Sequence, residues 1–314
     1  MISVAMATYN SMKYIEIQLD SIREQTVPVD EVVIVDDHST DETVSYIEQY
    51  IDQFGLSTWK VHKHAENAGY IRTFTDALSR VQGDIVILCD HDDIWEKTKV
   101  ETIAKAYENT EVLALATSFV QIDGEGKEVP VKLKAGHANN NLIRRSVERG
   151  ALNKMDLADV SIYNIAPGCT CAVRKSLVDT YLQEEHALPH DWKLNLLAAC
   201  KGGLYYLDQV TTGYRVHGAN TIGLGHQSAF EKRQKIVANN LTEKKEALRI
   251  VREYLADDTD ALRHFEDIEK IFEKRNDFMQ QGKLTAWLSA MVRSLGKGRL
   301  YESVMMDLIS KYKS

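Results

Sequence analysis

Three carboxylates, Asp90, Asp92 and Asp93, crowd into four positions directly behind the apolar run of "VILCDHDDIW". Unpaired acids this close repel one another. One or two carboxylates acting with substrate phosphates are the usual way to hold Mg2+, and oxygen ligands also suit Mn2+. Residues two apart in extended chain face the same way. Asp90 and Asp92 can therefore address one ligand, and the spacing predicts a divalent cation bridging this loop to a diphosphate. The plainer alternative is a solvated turn in which Asp93 caps a helix starting near Glu96. Asp36 and Asp37 follow "VVIV". An acid there can accept hydrogen bonds from a base or ribose, or simply bias a helix N-terminus. Asp191 in "PHDWKLNLLA" reads as a general base beside a sugar hydroxyl or as an ordinary N-cap, and spacing alone favours the cap. Arg215 and His217 in "YRVHGANTIG" stand two apart on one side of a strand, a guanidinium suited to phosphate and an imidazole suited to manganese.

These residues need a scaffold, and the first half of the chain supplies one. "ISVAMAT", "EVVIV", "WKVHK" and "DIVILC" read as strands. Between them lie helical segments, the first with Ile15, Leu19 and Ile22 at helical spacing. Ahead of the second helix, Ser39 and Glu42 match the S-x-x-E capping box. Strands alternating with helices predict a parallel sheet with right-handed crossovers. In such sheets ligands bind beyond the carboxyl ends of the strands, and the acids after strands two and four both fall on that edge. Past residue 120 the alternation breaks. "CTCAV", "LYYL" and "VTTGYRV" read as separate strands, "DWKLNLLAAC" as a helix starting at Asp191, and the chain from about Ala229 as charged helices.

Composition narrows the partners. The 314 residues carry 38 basic and 46 acidic side chains, a net charge of −8, which argues against non-specific binding to a nucleic-acid backbone. The four cysteines form no CxxC pair, so they read as reduced, mostly buried thiols of a cytoplasmic protein. The N-terminal "MISVAMATYN" enters a strand at once and reads as no signal peptide.

Seven motifs occur in order: "TYN", "VVIVDDHSTDET", "NAGYIRTFTDAL", "LCDHDDIW", "GCTCAVRKSL", "HDW" and "YRVHGANTIG". Together they resemble the inverting glycosyltransferases of family 2, and among these the bacterial capsule, O-antigen and cell-wall enzymes of rhamnosyltransferase type. The resemblance covers about residues 1 to 225. It implies the GT-A fold, an α/β Rossmann-like architecture with a mostly parallel central sheet flanked by helices. Residues 1–225 would form the catalytic domain, with a nucleotide-sugar half at 1–120 and an acceptor half at 121–225, and 226–314 a helical C-terminal extension. The implied roles put Thr8, Tyr9, Asn10 and Asp37 around base and ribose, Arg72 near base or phosphates, Asp90 at the ribose side, Asp92 on Mn2+ or Mg2+, and His217 where it can complete the metal or diphosphate site; Arg215, by its own chemistry, joins the nucleotide-sugar-binding residues. Asp191 becomes the catalytic base, against the reading from spacing alone. The donor implied is dTDP-L-rhamnose or otherwise a UDP-hexose, and the acceptor a glycan or lipid-linked saccharide. Two positions depart from the family pattern: His91, where Gln is common, and Lys193, where a bulky aromatic is common.

Residues 282–314 carry six basic side chains against two acids. Leu284, Trp287, Leu288, Met291 and Leu295 fall on one helical stripe, and Leu300, Val304, Met305 and Leu308 on another. A basic amphipathic helix can lie on anionic lipid, placing the protein at the inner face of the membrane through 283–314. The alternative is packing on the catalytic domain or in a homo-oligomer. Rival functions are an inactive sugar-nucleotide sensor or signalling module and a haloacid-dehalogenase-type phosphatase, which also uses D-x-D after an apolar strand.

Overall fold

The computed structural model describes residues 1–183, 188–216, 229–297 and 299–312. His217 lies outside them. The chain divides into two units, one of Met1–Glu185 with Pro189–His217 and one of His186–Leu188 with Gly218–Ser314.

The first unit is built on a nine-stranded mixed sheet. Strands β1 (Ile2–Thr8), β2 (Glu31–Asp36), β3 (Trp59–Lys63) and β4 (Ile85–Cys89) run parallel, in the order β3-β2-β1-β4. The apolar runs of β1, β2 and β4 are continuous rather than alternating because helices cover both faces of a parallel sheet, while β3, at the edge, alternates. Helices α1 (Ile15–Arg23), α2 (Thr43–Phe54) and α3 (Tyr70–Arg80) make the crossovers. The expected stripe Ile15, Leu19 and Ile22 is buried on α1, and α3 buries Thr73, Phe74, Ala77 and Leu78. In register, Thr8 pairs with Asp36 and Asp36 with Lys63, while Met6 pairs with Cys89. β1, β2 and β3 therefore end level and β4 two residues short of them, and the loops that follow open on one edge.

Beyond β4 the order changes. Strand β5 (Ile94–Trp95), helix α4 (Lys99–Ala106), strand β6 (Ala114–Ile122), strand β7 (Leu152–Lys154) and helix α5 (Leu157–Val160) lead to β8 (Cys171–Arg174). β8 inserts antiparallel between β4 and β6. After α6 (Lys175–Tyr181) and α7 (His190–Cys200) comes β9 (Leu204–Arg215). "LYYL" and "VTTGYR" are thus one strand, parallel to β6, with register shifts at Thr117/Ser118 and Ser118/Phe119. An irregularity of this kind bends a strand without ending it, and the polar "DQV" in its middle is what made the strand look like two.

Two expected caps are absent. Helix α2 starts at Thr43 without a side-chain cap, because the Ser39 hydroxyl donates to Asp36. Helix α7 begins one residue before Asp191, with Pro189 at its N-cap.

The second unit is helical: α8 (Ala229–Tyr254), α9 (Thr259–Gln281), α10 (Leu284–Ser294) and α11 (Arg299–Tyr312). Phe265, Ile268, Phe272 and Phe278 of α9 form its core with Val237, Leu248 and Val251 of α8. Within that core Asp307 accepts hydrogen bonds from Arg275 Nε and Arg233 Nε, each at 2.7 Å. The tail stripes separate. Trp287, Leu300 and Val304 are buried, while Leu284, Leu288 and Leu295 of the first stripe are exposed, with Val292 beside them. Among the described residues no helix is long and apolar enough to cross a membrane.

Arg275 and Asp307 are both fully buried, and removing one partner of such a pair strands a charge in the core, at a cost of about 3–5 kcal/mol. Asp307→Ala is expected to lose that much stability in urea denaturation of the full chain. A loss within experimental error would show the pair to be dispensable.

Candidate active site

The acidic loop is pinned from both sides. It leaves β4 at Cys89 and, after four intervening residues, is recaptured by β5, whose Ile94 and Trp95 pair with Gly213 and Thr212 of β9. Arg215, two residues further along β9, holds the loop between these points. Its amide donates to Asp93 Oδ1 at 2.8 Å and its Nε to the Asp92 carbonyl at 2.6 Å. Its Nη1 reaches the carbonyls of Asp123 at 2.7 Å and Gly124 at 3.1 Å, and the guanidinium lies 4.4 Å from the centre of the Tyr14 ring. Arg215 was expected at a phosphate. It is only 1% exposed, and its donors go to loop carbonyls, so its place here is that of a clamp. Asp93 is likewise not a helix cap: α4 starts at Lys99 rather than near Glu96.

The clamp produces a compact acid cluster. Asp90, Asp93 and Cys169 each offer a ligand atom, all within 4.8 Å of one another. Cys169 arrives from a 3-10 turn, Gly168–Thr170, immediately before β8. Beneath the cluster lies a buried cation, Lys99, whose ammonium donates to the Cys169 carbonyl at 2.6 Å and Thr212 Oγ1 at 2.9 Å and sits 4.1 Å from the Trp95 ring centre. Burial, then the carboxylates of Asp93, Asp92 and Asp191, push Asp90 well above the ordinary carboxylate range. Burial and Asp92 push Asp93 up to about 7. Asp93 Oδ2 is buried without a hydrogen-bond partner. Oxygen donors that resist ionisation together, one of them orphaned, fit a hard divalent cation. The Cys169 thiol, pushed well up by burial and by Asp93 and Asp90, fits a wall of that site better than a ligand.

Along the same edge, Thr8 is buried and donates to Asp36 Oδ2 at 3.0 Å. Tyr9 is exposed. Asn10 adopts a positive φ of 47° and joins the two first loops: its amide donates to Ser39 Oγ at 2.8 Å, and its Oδ1 accepts from the Thr40 amide at 2.9 Å. Asp37 is nearly buried and accepts from the amides of Ala68 at 2.7 Å and Gly69 at 2.9 Å, beside His64 Nδ1 at 3.2 Å. Burial raises its pKa, but the Ala68 amide, His64, the Gly69 amide and Thr73 outweigh it and hold the carboxyl below the usual range. Asp37 therefore organises the loop leading into α3, in whose first turn Arg72 stands exposed.

Asp191 approaches from the other side. It stands half-buried in the first turn of α7, with Oδ1 accepting from the Trp192 amide at 2.8 Å. Helix α7 is buried nearly all round, and Trp192 Nε1 ties it to the Val160 carbonyl at 2.7 Å. Gly168 lets the 3-10 turn come close: a Cβ there would lie 3.3 Å from Asp191 Cβ and 3.0 Å from His190 Nε2. One turn thus faces Asp191 with Gly168 and the acid cluster with Cys169, and the Asp191 charge is felt at Asp90. His190 is stacked on Phe74 at 3.8 Å with neither ring nitrogen hydrogen-bonded.

The structure brings Asp90, Asp92 and Asp191 together, with Thr8, Asn10 and Asp37 on the neighbouring strand ends, while Arg215 lies behind the acidic loop. Sequence reasoning missed Lys99 and Cys169. Lys99 sits in "EKTKVETIAKA", which reads as a solvated helical face, and nothing in "CTC" told which thiol would face the acids.

The raised pKa of Asp93 has a direct consequence for stability. The folded state binds its proton more tightly than the unfolded chain, where the pKa is about 3.9. The stabilisation is therefore complete below about pH 4 and is lost as the pH rises through about 7. In chelator-treated protein the melting temperature should fall between pH 5 and pH 8, and Asp93→Asn should flatten that slope. Identical slopes for the two proteins would show that Asp93 does not titrate in this window.

Residues 3–182, more than half the chain, match the model of the family described as Glycosyl transferase family 2. The dTDP-rhamnosyl transferase RfbG of Shigella flexneri is 23% identical over 266 residues, covering 81% of this chain and 86% of the relative. The structure of Staphylococcus aureus TarS 1–349 in complex with UDP superposes with a TM-score of 0.59 at 21% identity, over 98% of this chain and 88% of that one. The mannosyltransferase PcManGT from Pyrobaculum calidifontis, in complex with GDP-Man and Mn2+, superposes with a TM-score of 0.56 at 19% identity, over 95% and 75%. These structural likenesses establish the GT-A fold. The family match takes the place of the phosphatase and signalling readings. By that match, and by a mixed sheet whose strand ends gather the acids on one edge, the chain belongs to glycosyltransferase family 2.

Proposed function

We propose that this glycosyltransferase is a metal-dependent, inverting enzyme that moves a hexose from a nucleoside-diphosphate donor to a hydroxyl of a surface polysaccharide or lipid-linked glycan. The observation that carries this reading is the Gly168–Cys169 turn, which faces Asp191 on one side and Asp90 and Asp93 on the other. Asp191 takes the proton of the acceptor hydroxyl, which attacks the anomeric carbon from the face opposite the leaving diphosphate. The first two loops, with Thr8, Tyr9, Asn10 and Asp37, receive the base and ribose, and Arg72 approaches the base or phosphates. Asp92, with His217, would hold Mn2+ or Mg2+, and Asp90 the ribose side; the clustered oxygens of Asp90 and Asp93 support a cation at this loop. Arg215 and Lys99 keep the acidic loop in place from behind. The cation, when bound, neutralises charge on the leaving diphosphate. Mn2+ in the PcManGT complex supports the metal, and the name of RfbG supports dTDP-L-rhamnose as donor, with UDP-hexoses next.

The exposed Leu284, Leu288, Val292 and Leu295, beside Lys283, Arg293 and Lys297, support contact of residues 283–314 with the anionic inner face of a membrane. That would hold a cytoplasmic enzyme close to a lipid-linked acceptor. A homo-oligomer would cover the same stripe.

Two measurements test this reading. Asp191→Asn should lower transfer by about 10²–10⁴-fold while leaving calorimetric nucleotide affinity near that of the wild type; transfer at the wild-type rate removes Asp191 as the base. The full chain should cosediment with vesicles containing phosphatidylserine, and Leu288→Glu with Val292→Glu should abolish this. Failure of the unaltered protein to bind such vesicles ends the membrane assignment.

A further inference from the structure

A cavity of about 380 Å³ lies in the first unit, between β6 and the loop spanning residues 128 to 147, and it shares no lining residue with the acid cluster. We propose that it is a second carbohydrate subsite, holding a neutral sugar unit of the acceptor at a distance from the hydroxyl that reacts; the word acceptor here rests on the function proposed above. Its size falls in the range of small-molecule sites, about 300–1,000 Å³.

The lining suits a sugar. Val120, Val131 and Leu133 offer aliphatic surface to the C–H face of a pyranose, while Gln121, Glu128 and Asn139 offer hydrogen bonds to its hydroxyls. Leu133 is 55% exposed, which leaves apolar surface open at the cavity wall. Two carboxylates, Glu128 and Asp208, belong to the lining. They oppose a phosphate or a uronic acid and leave a neutral ring as the fitting occupant.

The loop is built rather than incidental. Three consecutive residues, Asn139, Asn140 and Asn141, hold positive φ of 48°, 56° and 69°, a conformation that disfavours side chains and needs support. Each side-chain amide supplies it. Asn139 Nδ2 donates to the Ile165 carbonyl at 2.7 Å, Asn140 Nδ2 to the Phe119 carbonyl at 2.8 Å, and Asn141 Nδ2 to the Lys132 carbonyl at 3.0 Å. Asn139 is 3% exposed, and its Oδ1 accepts no hydrogen bond.

The cavity is also tied to the reacting centre. Ile165, which anchors Asn139, lies three residues before Gly168, the residue packed against Asp191. At the far end of β6, Asp123 accepts from Arg215, the clamp of the acidic loop. An oligosaccharide presenting its terminal hydroxyl to Asp191 would extend its preceding units along this wall.

The test is ligand-observed NMR with the full chain and a panel of methyl glycosides of glucose, galactose, rhamnose and N-acetylglucosamine, with glucuronate and inorganic phosphate as anionic probes. At least one neutral glycoside should bind and should remain bound in the Asp191→Asn protein. Val131→Trp, which fills the cavity, and Gln121→Ala should each weaken that binding about tenfold while nucleotide affinity stays unchanged. Binding of the neutral glycoside undiminished by both substitutions, no neutral glycoside binding at all, or preference for glucuronate or phosphate would each overturn the proposal. Because the readout requires no transfer, it is separable from the fate of Asp191 as the base.

Discussion

Acids forced together must be held, and the structure turns on how that is done. Asp90, Asp92 and Asp93 occupy one strand-end loop, and two of them are pushed toward the protonated state by burial and by one another. Left in an unconstrained loop, such groups would separate into water. Here β5 pins the loop from its far side, Arg215 clamps it through backbone carbonyls and its own amide, and Lys99 lies beneath as a buried positive charge. Each cation fixes the chain around the acids, Arg215 through the Asp92 carbonyl and Lys99 through the Cys169 carbonyl, so the positions of the carboxylates are set.

The rest of the fold delivers what such a centre needs. The parallel strand ends of β1, β2 and β4, with β4 two residues short of the others, present three loops to one edge. The antiparallel insertion of β8 between β4 and β6 brings the Gly168–Thr170 turn alongside the acids. Glycine at 168 lets that turn pack close against Asp191 and His190, where a Cβ would be crowded. Helix α7, buried almost all round and tied by Trp192 to Val160, gives Asp191 little freedom to move.

Much of the first half was legible. The runs "ISVAMAT", "EVVIV" and "DIVILC" are β-rich, doubly buried and separated by helices whose apolar residues recur at helical spacing, so both the elements and their parallel order follow from local pattern. The edge that carries Asp37, Asp90 and Asp92 follows from that order. The second half was less legible. β9 looked like two strands because Asp208 and Gln209 interrupt its apolar run while its continuity comes from pairing with β6, and the capping box at Ser39 was lost because Asp36 captured the hydroxyl first. Arg215 is the clearest case. A guanidinium near a predicted phosphate site looks like a phosphate ligand, and only the crossing of β9 over the loop turns it inward.

The sequence by itself determined the parallel half of the sheet, the strand ends on which the acids sit, and the family, because these depend on residue types at short, regular spacing. Tertiary structure alone decided which groups surround the acids: Lys99 from α4, Cys169 from the turn before β8 and Arg215 from the end of β9, with Asp191 facing them from α7. Lys99 bonds Cys169 across 70 positions and Arg215 bonds Asp92 across 123, and no local periodicity encodes contacts between strands whose order is fixed by insertion and packing rather than by succession.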